Sequence, residues 1–164
     1  MNDQIQSNIV IERTYKADPE ELWELWTTKD GFESWWGPQD FRADVHTIEA
    51  RVGGALHYDM VADTAEAIEA MQQMGAPTSQ PCRGSFTEFR PCERLVLTQN
   101  IDFLPGVDPY DSTMQVDFFP ADNGHVRMIV TLSHMHNAQT TRMQQEGFTS
   151  QLSKLDKRYG LQTE

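Results

Sequence analysis

The chain has 164 residues, 38% of them hydrophobic and 23% charged, a size and composition that suit one folded domain (1–164) rather than a disordered segment. A formal net charge of -12 repels phosphate backbones and anionic bilayers, so neither nucleic acid nor a membrane surface is an expected partner. No window nears the ~18 apolar residues of a bilayer crossing, and residues 1–15 lack the basic start and apolar run of a signal peptide, so the expected location is cytoplasmic.

In chain order, residues 8–17 predict a first strand. "DPEELWELWTTKDG" then predicts a short helix, with Asp18 as N-cap, Pro19 at the first turn, Glu20 and Glu21 on the positive end of the dipole, and Gly31 as the stop. From Phe41 the period changes to two. Residues 41–52 and 55–62 predict a hairpin around Gly53-Gly54, with Leu56, Tyr58 and Met60 on one face of the second arm. Residues 64–75 are rich in helix formers and predict an inserted helix with Ile68, Met71 and Met74 in one stripe, closed by Gly75, Pro77 and Pro81. Four more strands follow at 84–90, 94–103, 112–119 and 125–135. Leu95, Leu97, Ile101 and Phe103 share a face, as do Met114, Val116 and Phe118, and Val126, Met128, Val130 and Leu132. The chain closes with a long helix at about 138–159, whose Phe148, Leu152, Leu155 and Tyr159 form an apolar stripe. This order describes an α+β domain, an antiparallel meander covered by its final helix. A cavity between sheet and helix is expected.

Cys82 and Cys92 sit around one extended segment that spans roughly 26 Å, beyond disulfide reach, and are read as free thiols. No neighbouring residues complete a zinc spacing, so no metal is expected. Residues 1–70 hold 15 acidic and 5 basic side chains. That acidity serves solubility, or else a face for a basic partner protein.

Five features bear on chemistry. The "WWGP" word at 35–38 is a corner plug, a ring at a cavity mouth, or an interaction hot spot, with Trp35 and Trp36 able to divide these jobs. His134 and His136 continue the inward face of Val130 and Leu132 if strand persists. They are then half a metal site, a polar pair at the cavity end, or plain structural histidines. Gln99 interrupts an apolar face and needs a partner or a ligand. Met71 and Met74 lid one opening of the cavity or pack on the surface. Gly147 fits a close approach of the last helix to the sheet. The nucleophile-elbow, phosphate-loop and zinc-protease motifs are all absent.

The chain resembles the activator-of-heat-shock-protein-ATPase-like (AHSA-type) branch of the SRPBCC, START-like superfamily. The resemblance rests on "IVIERTYKADPEELWELWT" at 9–27, "WWGP" at 35–38, "EARVGGALHYDM" at 49–60, "GSFTEFRPCERLVLT" at 84–98 and "EGFTSQLSKLDKRYG" at 146–160. It implies the helix-grip (birch-pollen-allergen-like) fold: a curved antiparallel sheet of about seven strands around the C-terminal helix. Where the family often has tryptophan after the glycine of that helix, this chain has Phe148, which alters cavity shape.

The resemblance and the faces together imply binding of a small hydrophobic molecule in the cavity. The expected lining is Trp35, Trp36, Tyr58, Met60, Met71, Met74, Gln99, His134 and Phe148, with no cofactor. A cyclase- or hydrolase-type enzyme using His134, His136 or Tyr58 is the second reading, and a chaperone ATPase cofactor or other interaction protein the third. The eukaryotic activators carry a separate chaperone-binding domain for which 164 residues leave no room. A homodimer is compatible with the sequence.

Overall fold

The computed structural model describes residues 8–101 and 106–160. Phe103, expected on an inward strand face, falls outside them. Seven strands form one antiparallel sheet: β1 (Ile9–Lys16), β2 (Phe41–Ile48), β3 (Ala55–Ala62), β4 (Ser79–Arg90), β5 (Arg94–Ile101), β6 (Tyr110–Ala121) and β7 (His125–Leu132). The spatial order is β1-β7-β6-β5-β4-β3-β2, so β2 through β7 run as a meander and β1 closes beside β7. Among the described residues there are also four α-helices, α1 (Pro19–Thr27), α2 (Lys29–Glu33), α3 (Ala65–Gln73) and α4 (Ala138–Arg158), and one 3-10 turn at Asp122–Gly124.

The sheet curls around α4 as a half-barrel. Register shifts at Val45/Thr47 and Phe86/Glu88 mark bulges, which bend strands and raise their twist. Phe148, Leu152 and Leu155 on α4 are buried against Phe86, Leu95, Val116, Phe118, Val126, Met128, Val130 and Leu132 of the sheet. Burying such side chains is worth ~1.5–3 kcal/mol each, which makes this layer the main source of stability.

Helix α1 starts as expected: the Asp18 carboxylate accepts from Glu20 N at 2.9 Å, with Pro19 in the first turn. Its end differs from expectation. Thr28 adopts an extended backbone and stops α1, and its hydroxyl accepts from Gly31 N at 3.1 Å to cap α2. Gly31 therefore lies inside a second helix. Its reason is steric, because a Cβ there would stand 2.2 Å from the Glu24 carbonyl oxygen.

Strand β4 begins at Ser79, five residues before the expected start, and contains Pro81. The segment 79–83 pairs with β3 alone, since pairing with β5 begins at Gly84. A proline is tolerated where one side of a strand has no ladder to supply. Strand β7 ends at Leu132, three residues earlier than expected, so the alternation of buried faces does not extend to His134.

Helix α3 buries Ala67, while Ile68 is 37% and Met74 67% exposed. The expected stripe of Ile68, Met71 and Met74 is thus displaced by one position, because the short helix rests on its smallest apolar residue. Gly147 is also not explained by close approach, since a Cβ there would meet nothing within 4 Å. Gly147→Ala is accordingly expected to stabilise the protein by about 0.5–1 kcal/mol, through the gain in helix propensity. A urea midpoint that rises at constant m-value would establish this, and a fall would show a contact that the geometry does not contain.

Among the described residues the outer edge of β2 has no strand neighbour. Val45 N donates to Glu33 Oε2 at 2.8 Å, and Lys29 Nζ donates to Val45 O at 3.1 Å. Lys154 Nζ, from α4, donates to Phe41 O at 3.0 Å. The Lys29 ammonium, then the Val45 amide, hold the Glu33 carboxyl below its usual range, whereas burial lowers the Lys154 ammonium.

Candidate binding cavity under the final helix

The "WWGP" word forms a corner between α2 and β2. Trp36 N donates to Phe32 O at 3.0 Å, which continues the helical turn, so the two rings do not alternate across an extended chain. They lie 5.2 Å apart, edge to face, in one cluster with Trp26 and Phe148. Trp35 is 1% exposed, and its Nε1 donates to Leu25 O at 2.8 Å. Trp36 stacks on Phe32 at 4.3 Å and turns its Nε1 toward the Tyr58 hydroxyl at 3.0 Å. Gly37, at φ 105°, donates its N–H to Gln151 Oε1 of α4 at 2.9 Å, and Gln39 N donates to Ser150 Oγ. The corner is thereby fastened to the final helix. Trp35 is the plug, and Trp36 reaches the cavity.

That cavity has a volume of about 50 Å³ and lies between strands β3 to β6 and α4. It is bordered by Trp36, Leu56, Tyr58, Arg83, Gly84, Leu97, Gln99, Ser112, Thr113, Met114 and Gln144. Register explains its floor. Leu56 faces Gly84, Gly84 faces Gln99, and Gln99 faces Ser112, a row across four strands. The adjacent row of Phe86, Leu97, Met114 and Leu132 is wholly apolar. The concave face thus changes from apolar to mixed in one step. Gly84 leaves bare backbone in the middle of the mixed row, and a Cβ there would come within 2.9 Å of Thr98 O. Arg83 and Thr113 alternate with the inward residues on their strands, so their backbones border the cavity while their side chains stand on the convex face.

The polar groups around this space are neutral. Burial raises the Tyr58 hydroxyl well above the usual phenol range, so it stays protonated and is no base. Cys82 lies opposite Tyr58 in register, and burial raises its thiol too, so it is no ready nucleophile. Both cysteines are free, and Cys92 occupies the β4–β5 turn at φ 62°. The Ser112 hydroxyl donates to Met135 Sδ at 3.6 Å. On α4, the Gln144 Oε1 is buried without a hydrogen-bond partner among the described residues.

Of the residues expected to line the cavity, Trp36, Tyr58 and Gln99 do so. Trp35 and Phe148 belong to the aromatic core behind it. Met60 packs half-buried against the core, on the row of Ala43 and Gln80. Met71 lies on α3 and Met74 caps its C-terminus, both away from the cavity border. His134 is exposed, in an open surface groove with Asp108, Asp111 and His136. His136 Nδ1 lies 2.9 Å from the Tyr110 hydroxyl, a contact made because the strand has already ended. No group of three metal-ligating side chains is present among the described residues. None of their helices is long and apolar enough to cross a membrane.

Sequence reasoning missed Ser112 and Gln144 as lining residues. The signal for Gln144 was present: it precedes Phe148 by four positions and Gln151 by seven, on the buried stripe of α4.

A curled seven-stranded sheet gripping one long helix, with a small cavity at their junction, is the helix-grip arrangement of START-like domains. The chain matches the family described as "Activator of Hsp90 ATPase homolog 1-like protein" over residues 16–160, and it belongs to that family. No curated protein matches it. Solved structures with this fold include a protein from Chromobacterium violaceum, 19% identical over 94% of this chain and 98% of the other, at a TM-score of 0.73. The AHSA1 protein from Silicibacter pomeroyi is 19% identical over 93% and 96%, at 0.71. A protein from Mycobacterium smegmatis is 17% identical over 95% and 92%, at 0.69.

Proposed function

We propose that this protein is a binding module that holds a small organic molecule, or one end of a larger one, in the cavity between sheet and α4. The observation that supports this reading is the mixed row of Leu56, Gly84, Gln99 and Ser112, which meets Trp36, Tyr58 and Gln144 around a small, partly open space. Apolar walls with a few converging polar groups are what ligand sites present. At about 50 Å³ the space is far below the ~300–1,000 Å³ of a site enclosing a drug-sized ligand. The bound part is therefore a group of a few heavy atoms, with any remainder passing through the mouth.

Catalysis is the weaker reading. It required two of Tyr58, His134 and His136 to converge inside the cavity, and among these Tyr58 alone borders it. A fragment screen by amide NMR tests the binding reading. Compounds that bind should shift the signals of Leu56, Gln99, Met114 and Gln144, and Ser112→Leu, which fills the floor, should abolish those shifts in a protein that still folds. Shifts that persist in the filled variant, or the absence of any binder from the screen and from protein extracted from its host, would overturn the reading.

A further inference from the structure

The polar groups around the cavity define the chemistry of its occupant. Gln144 Oε1 is a buried acceptor with no donor among the described residues. A buried carbonyl left in this state costs ~1–3 kcal/mol, which a donor entering the cavity would recover. The Ser112 hydroxyl spends its proton on Met135 Sδ at 3.6 Å, so what it offers the cavity is an oxygen lone pair. The Tyr58 hydroxyl accepts from Trp36 Nε1 at 3.0 Å, and its own O–H is turned toward the Cys82 sulfur rather than into the cavity. Gln99, opposite Ser112 in register, supplies an amide with both donor and acceptor.

Among the described residues no cationic side chain offsets a negative charge there. Arg83 is the one basic residue on the border, and its side chain stands on the other face, in register with His57. A carboxylate or phosphate would thus lose its hydration without gaining a counter-charge.

Resting on the reading above, we propose that the cavity selects a neutral hydrogen-bond donor, a hydroxyl or primary amide on a short apolar stem, and that Gln144 is the residue that reads it. The stem lies against Leu56, Leu97 and Met114, and the donor meets Gln144 Oε1. Ketones and ethers, which bring an acceptor to an acceptor, bind less well. Carboxylates bind least.

The test is a four-probe titration at millimolar concentrations, using butan-1-ol, butyramide, butan-2-one and butyrate, followed on the side-chain amide signals of Gln99 and Gln144. The expected order places butan-1-ol and butyramide about 2–10-fold tighter than butan-2-one, the worth of one net hydrogen bond, with butyrate weakest. Gln144→Met keeps the length of the side chain and removes the acceptor. It should erase the advantage of the alcohol and amide over the ketone while leaving the melting temperature at or above its original value. Equal or tighter binding of butyrate or butan-2-one, or an unchanged order in Gln144→Met, would overturn this inference while leaving the binding reading intact. Failure of all four probes, together with a failed fragment screen, would overturn both.

Discussion

Trp35→Ala should lower stability by about 3–5 kcal/mol, the range for truncating a fully buried aromatic residue. The ring is 1% exposed, lies 4.9 Å from Trp26 and 5.2 Å from Trp36, and anchors its N–H on Leu25 O. Its removal leaves a void where α1, the corner and α4 meet. It also strips the donor from a buried carbonyl. For a chain of this length each kcal/mol moves the melting temperature by ~2–4 °C, so a fall of about 10 °C is expected in circular dichroism melts. Trp36→Phe should behave differently. Phenylalanine keeps the stack on Phe32 and loses the hydrogen bond to Tyr58, so the stability change stays near 1 kcal/mol and the main effect falls on the cavity. Equal losses in the two variants would contradict the division of labour described above.

Asp156→Ala is the second large effect. Asp156 is 1% exposed on α4, accepts from the Tyr15 hydroxyl at 2.7 Å and from Arg13 Nε at 3.2 Å, and so ties β1 to the last turns of the helix. The Tyr15 hydroxyl is driven well above the phenol range, first by burial and then by the carboxylate it binds. Removing Asp156 leaves a buried hydroxyl without an acceptor and Arg13 without its counter-charge. A loss of about 2–4 kcal/mol follows, with Arg13 recovering part of its solvation because it is partly exposed. Tyr15→Phe removes one hydrogen bond and should cost about 1 kcal/mol. The double variant should cost less than the two losses added, since the carboxylate and hydroxyl share one contact. Strict additivity in chemical denaturation would show that the pair is not coupled.

Much of the fold was legible because its signals are local. The Asp18-Pro19 start, the period-two faces of β5 to β7 and the stripe of Phe148, Leu152 and Leu155 each lie within one element. The misplacements occurred where a neighbour decides. Gly31 looks like a helix stop until Thr28 is seen to cap a second helix. Pro81 looks like part of the close of the helical insert until it is seen inside a strand paired on one side. His134 and His136 extend an inward face only if β7 outlasts Leu132, and the length of a strand is set by its partner as much as by its own residues. The cavity was half legible for a related reason. Residues such as Gln99 are marked in the sequence by interrupting an apolar face, whereas Ser112 becomes a lining residue only through cross-strand register with Gln99.

A sheet that curls without closing keeps two borders, and an unguarded border can recruit a foreign strand and grow into a polymer. At β2 three of the outward backbone groups already have occupants: Val45 N holds the Glu33 carboxylate, Val45 O the Lys29 ammonium, and Phe41 O the Lys154 ammonium. An incoming strand must first evict two cations and an anion, one of them borne by the helix that fills the grip. The half-barrel can therefore stay open enough to hold α4 and its cavity while that border offers no template for chain-to-chain growth.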